Sequence, residues 1–137
     1  MPKITELAIS GLGIEQGTFP VTVDVTILGS TELVRVPPGK QMIVTQVIEH
    51  VSAMTFGGKA VDAVVSYGGN ASTYDDYIDG ETRSVSSVDK VYNDTVEDAY
   101  YPIYDENTSF RISVDTASDA DAESWDIYVF GYFIDKA

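Results

Sequence analysis

Apolar and polar residues alternate with a period of two along much of this chain. Val21, Val23, Val25 and Ile27 are separated by Thr22, Asp24 and Thr26, which predicts a strand with one buried face. Val61, Ala63, Val65 and Tyr67 repeat the pattern, as do Phe110, Ile112 and Val114 between Arg111, Ser113 and Asp115. Two segments depart from it. Residues 42–52 are about half apolar on each face, with Met42, Val44 and Ile48 on one and Ile43, Val47 and Val51 on the other. Residues 124–134 begin by alternating, but from Tyr128 onward both faces are apolar or aromatic. A strand with one face in water does not need this. Trp125, Ile127 and Val129 are therefore expected to face the domain's own core. Tyr128, Phe130, Tyr132 and Ile134 are expected to meet a neighbouring sheet or subunit.

Turn residues punctuate these segments. Gly29-Ser30, Val36-Pro37-Pro38-Gly39-Lys40, Phe56-Gly57-Gly58-Lys59, Gly68-Gly69-Asn70 and Asp105-Glu106-Asn107 each read as a break. Residues 33–36 make a short strand and residues 71–82 a polar loop. Residues 82–92 read either as strand or as one helical turn through Val88, Val91 and Tyr92. Residues 100–104 form an aromatic strand or edge whose pairing Pro102 limits. The result is about eight strands with no long helical period between them, so the expected class is all-β, an antiparallel jelly-roll-like β-sandwich. Residues 1–20 lack a sustained period and are expected to form an extended N-terminal arm, with a short edge strand near Leu7-Ala8-Ile9, ahead of a domain spanning 21–137.

Composition narrows the function. The chain has 137 residues, enough for one domain with a core. Its net charge is −14, with 22 acidic residues against 8 basic ones, which disfavours contact with nucleic-acid phosphates or anionic membranes. Cysteine is absent, which removes disulfides and thiolate metal ligands. No leader and no apolar run of the ~20 residues a membrane helix requires is visible.

The candidate chemistry is thin. His50 is the only histidine, and no Gly-x-Ser-x-Gly elbow surrounds a serine. At a symmetric interface His50 would make assembly sensitive to pH. Asp75, Asp76, Asp79 and Glu81 gather oxygens around Gly80, but the EF-hand pattern fails: counted from Asp75, its third position is Tyr77 and its twelfth is Ser86. Asp119, Asp121 and Glu123 read as an acidic hairpin tip. Tyr74, Tyr77, Tyr100, Tyr101 and Tyr104 could stack on carbohydrate, or fill the sandwich ends or a subunit interface. Paired carboxylates could serve glycoside hydrolysis, yet in so acidic a chain pairs arise by chance. No catalytic, cofactor-binding or metal-ligating set is assigned.

The order of these segments resembles small jelly-roll virion proteins of tailed bacteriophages. It is carried by Val36-Pro37-Pro38-Gly39-Lys40, a long mixed strand, an alternating strand ending at Gly68-Gly69-Asn70, the Tyr74-Asp75-Asp76 loop, Val114-Asp115-Thr116-Ala117-Ser118 and Val129-Phe130-Gly131-Tyr132-Phe133-Ile134, over about residues 33–134. The resemblance implies a non-enzymatic structural protein, commonly a homotrimer, that decorates the capsid as cement on the major capsid protein. Ile4, Leu7 and Ile9 of the arm are the expected capsid contacts, and Tyr128, Phe130, Tyr132 and Ile134 the expected subunit contacts. The alternative is the receptor- or glycan-binding tip of a fibre. A fibre tip follows a long shaft, whereas this chain has only a short arm after Met1, so the capsid surface is the expected location.

Overall fold

The computed structural model describes residues 16–17, 19–58, 62–84, 87–96 and 100–136. They form β1 (Gln16–Gly17), β2 (Val21–Asp24), β3 (Gly29–Arg35), β4 (Lys40–Thr55), β5 (Asp62–Gly68), β6 (Ile78–Ser84), β7 (Val91–Asp94), β8 (Ser109–Thr116) and β9 (Ala122–Asp135). Every strand pairing is antiparallel. In the first sheet β1 and β2 both pair with one side of β9, followed by β4 and β7; the second runs β3-β8-β5-β6. The nine strands thus fill eight positions. The chain crosses from sheet to sheet at nearly every connection, which is jelly-roll connectivity.

The core lies between the sheets. It takes Met42, Val44, Val47 and Val51 from β4 and Trp125, Ile127, Val129 and Phe133 from β9. Opposite them lie Ala63, Val65 and Tyr67 of β5 and Phe110, Ile112 and Val114 of β8. Tyr77 and Tyr104 pack edge-on against Phe110, with ring centroids 5.6 and 5.4 Å away. The Pro37–Lys40 turn is closed by a 3.2 Å bond from the Lys40 N–H to the Pro37 carbonyl, and Gly39 adopts the φ of +76° that it requires.

Several expectations change. Ile27 does not continue the β2 alternation, because the Asp24 carboxylate accepts from the Thr26 N–H at 2.9 Å and from its hydroxyl at 2.6 Å, curling the chain. Val25 stays buried, and Ile27 is 62% exposed. The expected polar loop at 71–82 ends early, since β6 begins at Ile78. Residues 82–92 give the ends of β6 and β7 rather than a helical turn at the described positions. Of residues 100–104, only Tyr104 pairs, in a single bridge to Met42.

The faces of β4 also differ from the expected grouping. The β4–β9 register slips between Val44 and Gln46, leaving Thr45 as an extra residue whose hydroxyl donates to the Phe130 carbonyl at 3.1 Å. A bulge of this kind inverts the alternation beyond it. Met42, Val44, Val47 and Val51 consequently all point inward, while Ile43 and Ile48 lie between buried neighbours on the other face. Gly131 lies opposite the bulge, where a Cβ would collide with the Ile43 carbonyl oxygen. The close approach of the two long strands therefore requires glycine there.

Candidate interaction surface

The two long strands build the candidate site. β9 keeps strict alternation, so Trp125, Ile127, Val129 and Phe133 are buried while Tyr128, Phe130, Tyr132 and Ile134 are half-buried on the outer face. The four residues expected at a subunit contact thus share one surface. The register places Tyr128 beside Ile48, Phe130 beside Gln46, Tyr132 beside Ile43 and Ile134 beside Gln41. Ile43 and Ile48 were missed as members of this surface, and a polar Thr45 interrupting an apolar run was the signal that could have found them.

Among the described residues, charges stand at the ends of this face and not at its centre. Lys40 pairs with Asp135 at one end. At the other, His50 Nε2 lies 2.9 Å from Asp89 and its Nδ1 lies 3.8 Å from Asp126, which also accepts from the Thr22 hydroxyl at 2.6 Å. An uncharged aromatic and aliphatic centre with a polar rim is the anatomy of a protein contact. Just ahead of the Tyr104–Met42 bridge, Tyr100, Tyr101 and Ile103 are all exposed, Tyr100 by 85%. Ile4, Leu7 and Ile9 lie outside the described residues. Gln16, within the expected arm, pairs with Gly131 at the edge of the aromatic face.

The other candidate groups are consumed by the fold. Asp75 accepts from the Asn70 amide at 2.6 Å and from Thr73 at 3.0 Å, bonds that hold its carboxyl below the usual range. Asp76 accepts from the Gly69 N–H and the Tyr104 hydroxyl, each at 2.9 Å. Burial, then the neighbouring Asp76 charge, pushes the Tyr104 hydroxyl well above the usual tyrosine range. Glu123 is not part of an exposed acidic tip; it is buried and accepts from Ser118 and from the Trp125 indole, both at 2.7 Å. Among the described residues, no three histidine or carboxylate side chains are grouped to hold a metal ion. The five tyrosines do not form one platform, because Tyr77 and Tyr104 are core residues and Tyr74 lies under the Arg111 guanidinium.

No protein-family model and no curated protein matches the sequence. Solved structures do share the architecture. Its fold recurs in chains of three phage capsids. One comes from the Cyanophage Pam1 capsid asymmetric unit, with a TM-score of 0.61 and 18% identity over 88% of this chain and 85% of that one. A second, from the capsid of Ralstonia phage GP4, gives a TM-score of 0.57 and 14% identity over 91% and 85%. The third, from the acidic stable capsid structure of Helicobacter pylori bacteriophage KHP30, gives 0.51 and 18% over 90% and 99%.

Proposed function

We propose that this chain is a non-enzymatic structural protein of a phage virion, a decoration protein that assembles as a homotrimer on the head and stabilises it. The observation that carries the reading is the uncharged face of Ile43, Ile48, Tyr128, Phe130, Tyr132 and Ile134, borne on a fold that recurs in phage capsid chains. Covering such a face contributes about 25 cal/mol per Å² of apolar area, before the costs of association. In this reading that face joins the copies, and Ile4, Leu7 and Ile9 attach them to the major capsid protein. The acidic remainder of the surface repels DNA and other anionic particles. Quantitative mass spectrometry of purified particles tests the placement. The expected copy number is comparable with that of the major capsid protein; one matching the tail fibres would overturn it.

The fibre-tip reading keeps one specific support, the exposed Tyr100 and Tyr101. Glycan-array binding that is lost on Tyr101→Ala would favour it over decoration.

A further inference from the structure

The interior holds a second polar constellation, on the opposite side of β4 from the aromatic face. Glu49 of β4 is 0% exposed and Asp94 of β7 is 8% exposed, so both carboxylates sit inside the first sheet's buried side. Arg83 reaches them from β6 of the second sheet. Its Nε donates to Glu49 Oε1 at 2.9 Å, its Nη2 pairs with Asp94, and its Nη1 donates to Glu81 at 3.1 Å. Its guanidinium also lies 4.5 Å from the Tyr92 ring centroid. From β5, the buried Tyr67 hydroxyl donates to the other Glu49 oxygen. No strand ladder joins β6 to β7, and β7 itself pairs with β4 over four residues only. Arg83 is thus a polar bridge between the sheets along this side of the sandwich.

The charges of the cluster do not balance. Two buried carboxylates face one guanidinium, while Glu81 is half in solvent and screened. Among the described residues, the flanking groups supply no second cation: His50 engages Asp89 on the other face of β4, β9 presents Ile127 beside Glu49, and β8 presents Ile112 and Val114. Near Asp94 stands the Tyr77 hydroxyl, which in turn faces Tyr101. A buried carboxylate without its own cation costs several kcal/mol, and taking up a proton removes that cost.

We infer that Glu49, Arg83, Asp94 and Tyr67 form a proton-operated latch, in which a protonated Glu49 holds β6 and β7 together and loss of that proton loosens this side of the sandwich. Protonated Glu49 presents its carbonyl oxygen to Arg83 and donates to the Tyr67 oxygen, leaving the guanidinium to balance Asp94. Burial first, and the Asp94 charge second, push the Glu49 carboxyl up to about 8, against the opposing pull of Tyr67 and Arg83. The unfolded chain releases the same proton near 4.5, so between these values the folded chain holds a proton that the unfolded chain has lost. Stability is therefore fullest below the lower value and falls as pH rises through the upper one.

Thermal melting against pH, in the wild type and in Glu49→Gln, tests the latch. Glutamine reproduces the protonated state, with an oxygen for Arg83 and an N–H for Tyr67. The wild-type Tm is expected to fall by about 3–4 °C per pH unit between about pH 5 and 8, and the variant to lose that slope. Backbone hydrogen exchange at residues 91–94, corrected for its intrinsic pH dependence, should accelerate over the same range in the wild type alone. A slope retained in Glu49→Gln, or exchange that stays flat in the wild type, overturns the inference. Should the variant fail to fold, infrared spectroscopy of the wild type decides: a protonated-carboxyl band at neutral pH that vanishes on alkalinisation is expected, and its absence at neutral pH refutes the latch.

Discussion

The two sheets are alike on their inner faces and unlike on their outer ones. Inside, both are mainly apolar, as folding requires, apart from the Glu49–Arg83–Asp94 cluster and Glu123. Outside, the second sheet carries a closed polar lattice. Ser109 donates to Glu32 at 2.6 Å, Arg111 to Ser30 at 3.0 Å and Ser113 to Asp115 at 2.8 Å, while Ser66 links the Gly80 N–H to Asp115. The first sheet offers Tyr128, Phe130, Tyr132, Ile43 and Ile48 instead, each half-buried. A lone exposed apolar residue is ordinary on a protein surface, whereas a contiguous row of them points to a partner. In the proposed reading, the first sheet's outer face is the side that meets another molecule. The lattice on the second sheet satisfies itself.

The strongest way to sharpen this contrast uses two phenylalanines three positions apart on β9. Phe133 is fully buried opposite Met42, while Phe130 lies on the outer face beside Gln46. Phe133→Asp places an unpaired charge in a dry core, at a cost of about 4–5 kcal/mol or more, a large share of the stability of a domain. The expected result is no cooperative unfolding transition in circular dichroism and no soluble assembly. Phe130→Asp should fold with a nearly unchanged Tm yet weaken self-association by roughly 100-fold, read by sedimentation velocity. Equal unfolding of both variants, or normal association of Phe130→Asp, would break the comparison.

Much of this contrast was legible in the residues themselves. Alternation placed Phe110, Ile112 and Val114 of β8 and Trp125, Ile127 and Val129 of β9 correctly, because β9 carries no extra residue against β4 and the slip in β8 falls beyond Val114; Glu123, expected at an acidic tip, points inward instead. The switch to two-sided hydrophobicity at Tyr128 marked the outer face for the same reason. β4 was misread because a bulge at Thr45 inverts the phase of the residues that follow it up to Val51, and sequence periodicity has no means of counting a residue that has no opposite number in the β9 ladder. Ile27 was misread because a local Asp24 cap outweighs a period of two. The latch was invisible for a third reason. Glu49, Arg83 and Asp94 look like three ordinary surface charges until topology sets β6 beside β7.

A smaller effect probes the second sheet. Ser66 is buried, and its hydroxyl accepts from the Gly80 N–H at 2.9 Å while donating to Asp115. Ser66→Ala leaves that N–H without its acceptor, a loss of about 1–2 kcal/mol and a Tm lower by a few degrees. Self-association should be untouched. An association constant that drops along with the Tm would move the contact surface, or part of it, to the second sheet.

The smallest expected effect is at Arg111, and its smallness is what makes it informative. Its guanidinium donates to Ser30 and Ser109 at 3.0 and 3.2 Å and lies 5.4 Å from the Tyr74 ring centroid. These contacts are largely open to solvent, where single polar and cation–π contacts are worth about 0–1 kcal/mol. Arg111→Ala should therefore shift the Tm by no more than about 3 °C and leave sedimentation unchanged. Arginine is nevertheless among the residues that anchor protein contacts when they become desolvated. If the second sheet's outer face were covered in the assembled state, the same substitution would cost far more in assembly than in the isolated chain. A large loss of particle attachment with an unchanged Tm would then assign a partner to the face that now satisfies itself, and the two sheets would divide the work of assembly between them.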